Sequence, residues 1–212
     1  MYLTTAGKII AKPKPCERFM TTSCCAGYNE LRKKHLTEIN SYVSDTKTPM
    51  YYTAEFIKEK HPNAKLVFLS PCVAKRKEVF ENPNVDYLMN YLELCALFEG
   101  RKIKVEDCEE TVFDSESSKQ GRNFGVIGGV ANAVNSLLSD ENKANACIIN
   151  CLNNDTIKQL KKYAKEGCCA EGNLIEVMCC EGGCIGGNAT IEQQRLAKKS
   201  LQTLLDKSND LN

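Results

Sequence analysis

The sequence predicts an α/β fold: two lobes of mostly parallel sheet flanked by helices, with a cysteine-lined cofactor cleft between them. Three observations carry this. Short apolar runs alternate with segments of helical periodicity along the whole chain, the order expected of βαβ units. Residues 65–70 are apolar at nearly every position, as a strand covered on both faces is. Cysteines recur where such runs stop, at Cys24-Cys25, at Cys72, and at Cys180 and Cys184.

Composition narrows the class. A chain of 212 residues can form one sizeable core or two fused lobes. A net charge of +1 gives no basic field for nucleic acid. The 13 cysteines are the outlier. Their odd number, with neither a leader peptide nor an apolar run of membrane-spanning length, predicts a cytoplasmic protein whose cysteines serve metal binding, redox chemistry or packing. With His35 and His61 as the only histidines, a histidine-rich metal site is excluded.

Residues 1–17 have no period and read as a lead-in, with Cys16 a bystander. Residues 18–25 form a short strand-like run ending in Cys24-Cys25. After Ala26-Gly27, helical spacing of Tyr28, Leu31, His35 and Ile39 follows. This order sets the thiols near a positive helix end, although Thr22 and Ser23 would also serve as plain caps. His35 belongs at the solvated helix edge. Residues 44–49 are a turn cluster, and Pro49 opens a helix through Tyr52, Phe56 and Ile57. The strand at 65–70 delivers Pro71-Cys72 to a turn, and Lys75 and Glu78 follow on one side of a helix.

Residues 85–89 read as a strand and 91–98 as an apolar helix holding Cys95 and stopped by Gly100. A short strand is expected at 102–105. The polar span 106–122 is the expected lobe boundary, dividing 18–105 from 106–207, with 208–212 as a tail. The glycine turn at 124–129 opens a helix over 130–138. It lacks the lysine of a P-loop and the full dinucleotide fingerprint, so close packing on a cofactor, or a simple tight turn, fits better than phosphate binding. Residues 146–152 form a strand with Cys147 and Cys151 as core thiols, and 155–164 an amphipathic helix. Cys168-Cys169 is a weaker second metal candidate. A terminal helix over 191–205 turns Leu196, Leu201, Leu204 and Leu205 inward.

The chain is organised around Glu176-Val-Met-Cys-Cys-Glu-Gly-Gly-Cys-Ile-Gly-Gly187. An apolar strand, Leu174–Met178, stops in glycines that let backbone approach a bulky object closely. Thiolates there suit iron–sulfur or zinc ligation; taken alone, two structural thiols beside a turn would read equally well.

Three motifs stand in order: Thr22-Ser-Cys-Cys25; Pro71-Cys-Val-Ala-Lys75 with Glu78; and Glu176 to Cys184. Together they resemble the signature motifs of the iron-only (diiron) hydrogenases, from about Phe19 to Asn188. The resemblance implies reversible interconversion of protons, electrons and hydrogen. It implies a 4Fe–4S cluster on Cys25, Cys72, Cys180 and Cys184, with Cys184 bridging to a diiron subsite that carries carbonyl and cyanide ligands. Cys24 would carry protons, with Ser44 and Glu78 beside the proton route. Lys75 would hold a cyanide. Met178, Ser70, Gly128 and Gly129 would lie against the cofactor. Ferredoxin or another iron–sulfur subunit would be the electron partner.

Ala26, Tyr28, Met50, Ser70, Cys179 and Asn188 depart from the family's usual proline, tryptophan, glutamine, methionine, alanine and glycine, as in a divergent branch. Only 17 residues precede Arg18, where the family has a substantial segment. A separate chain supplying that segment is therefore expected, or a fragment. The alternative to an enzyme is a non-catalytic relative that senses or handles clusters.

Overall fold

The computed structural model describes residue 16, residues 18–111 and residues 117–210. The remainder of the expected lead-in, residues 112–116 of the polar span and the last two residues of the tail lie outside the described residues.

Among the described residues, five strands form two parallel sheets. These are β1 (Met20–Thr21), β2 (Val67–Ser70), β3 (Tyr87–Asn90), β4 (Ala146–Asn150) and β5 (Leu174–Met178), arranged as β1-β5-β4 and β2-β3. Parallel neighbours need crossover connections, and helices supply them. They are α1 (Ala26–His35), α2 (Pro49–Lys60), α3 (Lys75–Phe80), α4 (Tyr91–Arg101), α5 (Lys119–Arg122), α6 (Gly129–Ser136), α7 (Asn154–Glu166) and α8 (Gln194–Asp206). Because β1 pairs with β5, the two sheets do not divide at residue 106. The first cysteine motif belongs to the sheet of the third.

All five residues of β5 are buried. Ile175 and Val177 face a core of Phe19, Tyr28, Leu36 and Leu160; Leu174 faces the opposite one, with Met20, Ala131 and Val134. Glu176 lies on the second face, fully buried. α6 begins at Gly128, which sits in the left-handed region (φ 82°) and offers no side chain to cap the helix. The Glu176 carboxylate fills that role from across the sheet, accepting from the N–H groups of Gly128 (2.7 Å) and Ala131 (2.8 Å).

The second sheet corrects an expectation. Among the described residues β2 is covered on one face only: Phe68 and Leu88 pack on Met50, Ala54, Val79 and Val85, while Val67, Leu69 and Tyr87 are exposed. A two-stranded sheet gives its other face no third layer here. Residues 102–105 are not a strand. α4 runs through Gly100 to Arg101, Lys102 caps it in the left-handed region, and a 3₁₀ turn follows. α8 buries Leu205 but leaves Leu196 and Leu204 exposed, so its apolar stripe lies along the surface. The periodicity expected to reach Ile39 stops at His35 and continues as a 3₁₀ helix, Thr37–Tyr42.

Cys16 is not a bystander, because it is disulfide-bonded to Cys168 (Cα–Cα 5.3 Å). The next residue, Cys169, turns the other way, into the core beside Cys147, and donates to Glu171 Oε2 at 3.3 Å. The two adjacent cysteines thus have separate partners. Cys151 lies past the end of β4 with φ 82° and is half-buried, so it is not the core thiol expected.

Burial raises the Glu176 pKa against the hydrogen bonds that lower it. A carboxyl raised on folding stabilises fully below its ordinary value of 4.5, and that contribution is lost as pH climbs through the raised value. Glu176→Gln should therefore flatten the pH dependence of urea midpoints in that window. Glu176→Ala should cost on the order of 2–4 kcal/mol by stranding two buried N–H groups. An unchanged pH slope in Glu176→Gln would show that the carboxyl does not titrate with folding.

Candidate metal centre

Three strand ends converge. β1 runs through Ser23 and Cys24 to Cys25, the N-cap of α1; no side-chain cap is made there. Thr22 and Ser23 are used elsewhere: Thr22 Oγ1 accepts from the Val177 N–H (3.2 Å), and Ser23 Oγ donates to the Thr46 carbonyl (2.6 Å). β2 delivers Cys72, whose N–H donates to Ser70 Oγ at 3.2 Å. β5 delivers Cys179 and Cys180, then Gly182 and Gly183 in the left-handed region, then Cys184 at the start of a 3₁₀ turn. In parallel sheets the carboxyl ends of strands are where ligands bind.

The glycines lock the ends together. A Cβ on Gly183 would fall 2.6 Å from the Gly125 carbonyl, and one on Gly187 would fall 2.6 Å from the Pro71 carbonyl. Ala189 N–H donates to that same Pro71 oxygen (3.0 Å), and Val73 N–H donates to Asn188 Oδ1 (3.3 Å). The third motif is thereby fastened to the second. Asn188, a departure from the family's usual glycine, has a structural role in this.

Burial is the first cause of the thiol shifts. It pushes Cys24 up to about 12 and Cys184 up to about 11, and it raises Cys25 although the Tyr28 and Cys179 N–H groups donate to that sulfur. Mutual repulsion adds to this: Cys25, Cys72 and Cys180 raise Cys184, while the Lys75 ammonium opposes them. Cys180 moves the other way, held well below the ordinary thiol range by a hydrogen bond from Cys179.

These thiols are close enough to resist ionising together, and such a donor set fits a polynuclear cation. Among the described residues no three His, Cys, Asp or Glu side chains meet at one metal-ion position. A four-iron cluster takes one thiolate per iron, so its ligands surround a space instead of meeting at a point. Thiols brought from three strand ends are the soft donors that an iron–sulfur cluster takes.

Cys25, Cys72, Cys180 and the Lys75 ammonium all act electrostatically on Cys184, and Cys184 in turn acts on Cys24. Lys75 Nζ donates to the Cys24 carbonyl (3.2 Å) and is ion-paired with Glu78, whose other oxygen accepts from Thr48 Oγ1. Ser44 Oγ accepts from the Thr46 N–H (3.2 Å). Ser23, Ser44, Thr46, Thr48 and Glu78 share the wall of a cleft of about 400 Å³.

Ser70 and Met178 are buried at their strand ends. Gly128 and Gly129 shape the turn: a Cβ on Gly129 would collide with the Asn123 carbonyl, whereas one on Gly128 would meet nothing within 4 Å. Gly125 is the residue of that turn beside Cys184, 3.6 Å from the ideal Cβ position to Cys184 Cβ. Sequence reading missed Gly125, Thr48 and the capping role of Glu176. The glycine spacing at 125, 128 and 129 was visible, but not which glycine would face the cysteines.

In the metal-free, reduced chain, Cys180 should be the first cysteine of the centre alkylated by iodoacetamide at pH 7, and Cys24 among the last, because the thiolate is the nucleophile. Peptide mapping by mass spectrometry reads the order. Faster labelling of Cys24 would contradict these electrostatics.

No helix among the described residues is long and apolar enough to cross a membrane. The family model for the iron-only hydrogenase large subunit, C-terminal domain, matches residues 3–188. Iron hydrogenase 1 of Clostridium pasteurianum is 28% identical over 79% of this chain and 37% of its own length. The NADP-reducing hydrogenase subunit HndD of Solidesulfovibrio fructosivorans is 26% identical over 88% of this chain and 39% of its own. The chain thus spans about two fifths of the curated relatives it matches. The FeFe-hydrogenase structure HydA(deltaEFG) superposes with a TM-score of 0.64 at 18% identity, covering 100% of this chain and 71% of that one. A variant of HydA1 from Chlamydomonas reinhardtii gives 0.64 at 17% identity, covering 98% and 70%. These two establish the fold. With the family model matching nearly the whole chain, the protein belongs to the family defined by the C-terminal domain of the iron-only hydrogenase large subunit.

Proposed function

We propose that this chain is the cofactor-bearing portion of a divergent iron-only hydrogenase, interconverting protons and electrons with hydrogen. The observation that carries this reading is the meeting of the three strand-end motifs: Cys179 N–H donates to Cys25 Sγ at 3.3 Å, and the segment after Cys184 is fastened to Pro71, beside Cys72, by Ala189 N–H at 3.0 Å. In this reading Cys25, Cys72, Cys180 and Cys184 hold a 4Fe–4S cluster, and Cys184 also faces a diiron subsite with carbonyl and cyanide ligands. That group, when bound, supplies the redox and hydride chemistry.

The chain's own residues position it and move protons. Lys75, half-buried, places an ammonium where an anionic cyanide would be stabilised. Cys24, pushed up to about 12, keeps its proton on Sγ at neutral pH and can pass it on only to a strongly basic acceptor. Ser44 and Glu78, on the wall of the cleft, would line a route for protons from solvent, Glu78 through its ion pair with Lys75. Met178 excludes water, and Ser70 holds the loop of Cys72. The glycine turn with Gly128 and Gly129 backs the centre through Gly125. The electron partner is ferredoxin or another iron–sulfur subunit.

A non-catalytic reading, in cluster sensing or handling, has one observation in its favour: Lys75 is already satisfied by Glu78 and the Cys24 carbonyl. Infrared spectra of maturated protein separate the two, since carbonyl and cyanide bands require the diiron subsite. Among variants, Cys24→Ala should keep cluster iron and lose most hydrogen evolution, whereas Cys25→Ala should lose the cluster. Full turnover in Cys24→Ala would remove Cys24 from the proton route.

A further inference from the structure

Gln194 opens α8, beyond the residues that the family model matches, and has no role in the reading above. Its carboxamide lies across the loop between Cys180 and Cys184. A Cβ on Gly182 would overlap it, and one on Gly186 would fall 2.7 Å from Gln194 Nε2. Glycines let a bulky object approach backbone closely. At Gly182 and Gly186 that object is a side chain of this chain.

Gln194 Nε2 also donates to the Glu181 carbonyl at 2.7 Å. The following N–H, that of Gly182, donates to Asn150 Oδ1 at the end of β4 (2.6 Å). The C=O and N–H of a trans peptide point opposite ways, so side chains from two distant elements grip one peptide plane from both sides. It is the central peptide of a four-residue turn, Cys180–Gly183, closed by Gly183 N–H on the Cys180 carbonyl (3.1 Å). Gly182 is the third residue of that turn, at φ 75°, the arrangement of type II. Rotating the central peptide would convert the turn to type I and break both hydrogen bonds. The Gly182 carbonyl is held as well, by the Ile127 N–H at 3.0 Å.

Resting on the metal-centre reading, we propose that Gln194 is a positioning residue for the cluster: with Asn150 as its counterpart, it locks the turn between Cys180 and Cys184 and so holds those two thiols at a fixed spacing. The start of α8 is then part of the metal centre, although no residue of that helix is a ligand.

The full chain serves for the test. In its metal-free, reduced state, hydrogen–deuterium exchange of residues 179–187, read by peptide mass spectrometry, should quicken roughly three- to tenfold in Gln194→Ala. Gln194→Glu, which keeps the packing on both glycines but when ionised has no N–H to donate, should do the same. Leu205→Ala removes a buried side chain at the other end of the helix. It should lower the urea midpoint and leave exchange of residues 179–187 unchanged. After anaerobic reconstitution with ferrous iron and sulfide, both Gln194 variants should lose iron to a chelator roughly three- to tenfold faster than the unmodified chain. Their reduced clusters should also give a shifted low-temperature electron paramagnetic resonance spectrum. Exchange, iron loss and spectrum all unchanged in both Gln194 variants would overturn the positioning role. So would iron loss that simply follows the urea midpoint across the Gln194 and Leu205 variants. An unmodified chain that takes up no iron would count against the metal-centre reading, and the exchange comparison would still decide whether Gln194 locks the turn.

Discussion

Everything in this fold that bears on the metal centre depends on burying β5 from both sides. Its neighbours β1 and β4 pair with it in parallel, so the first cysteine motif is carried to the same edge as the third. Its two faces anchor two cores, and its one polar side chain, Glu176, organises the start of α6 from within. The glycine turn that precedes α6 then packs on Gly183, bringing Gly125 against Cys184. A single buried strand thus sets both the position of the cysteines and the wall behind them. A charge in such a place is costly unless several donors meet it, and here backbone N–H groups do.

The thiols present the opposite problem. Buried sulfur prefers to stay protonated, and neighbouring thiolates repel. Cys24, Cys25 and Cys184 are all driven upward by burial. Bound iron would reverse this, since binding releases the thiols' protons and the metal charge offsets their repulsion. Stability and loading should therefore be strongly coupled at the Cys184 end, where the repulsion is shared by several sulfurs. At Cys24 the Lys75 ammonium opposes this rise only in part.

Much of this was legible in the sequence because it rests on local rules. Leu174–Met178 is apolar apart from Glu176 and ends in glycines, so a buried strand feeding a cysteine loop could be read directly. The stop of β2 at Pro71-Cys72 and the helical placing of Lys75 and Glu78 were equally plain. What could not be read depends on partners distant in the chain. Residues 65–70 look covered on both faces, but hydropathy alone does not say how many layers surround a two-stranded sheet. The leucines of α8 have an inward period yet lie mostly on the surface, because periodicity defines a face without placing anything against it. The partner of Cys16 is Cys168, a pairing no spacing rule encodes. Gly125 could not be preferred over Gly128 or Gly129 without knowing where Cys184 falls.

The central claim is that cysteines from three strand ends hold one cluster. Iron-edge anomalous diffraction from crystals of the reconstituted chain tests it most directly. The account predicts one compact iron peak enclosed by the sulfurs of Cys25, Cys72, Cys180 and Cys184. Iron found instead beside Cys147 and Cys169, or scattered over exposed Cys95 and Cys108, would contradict it.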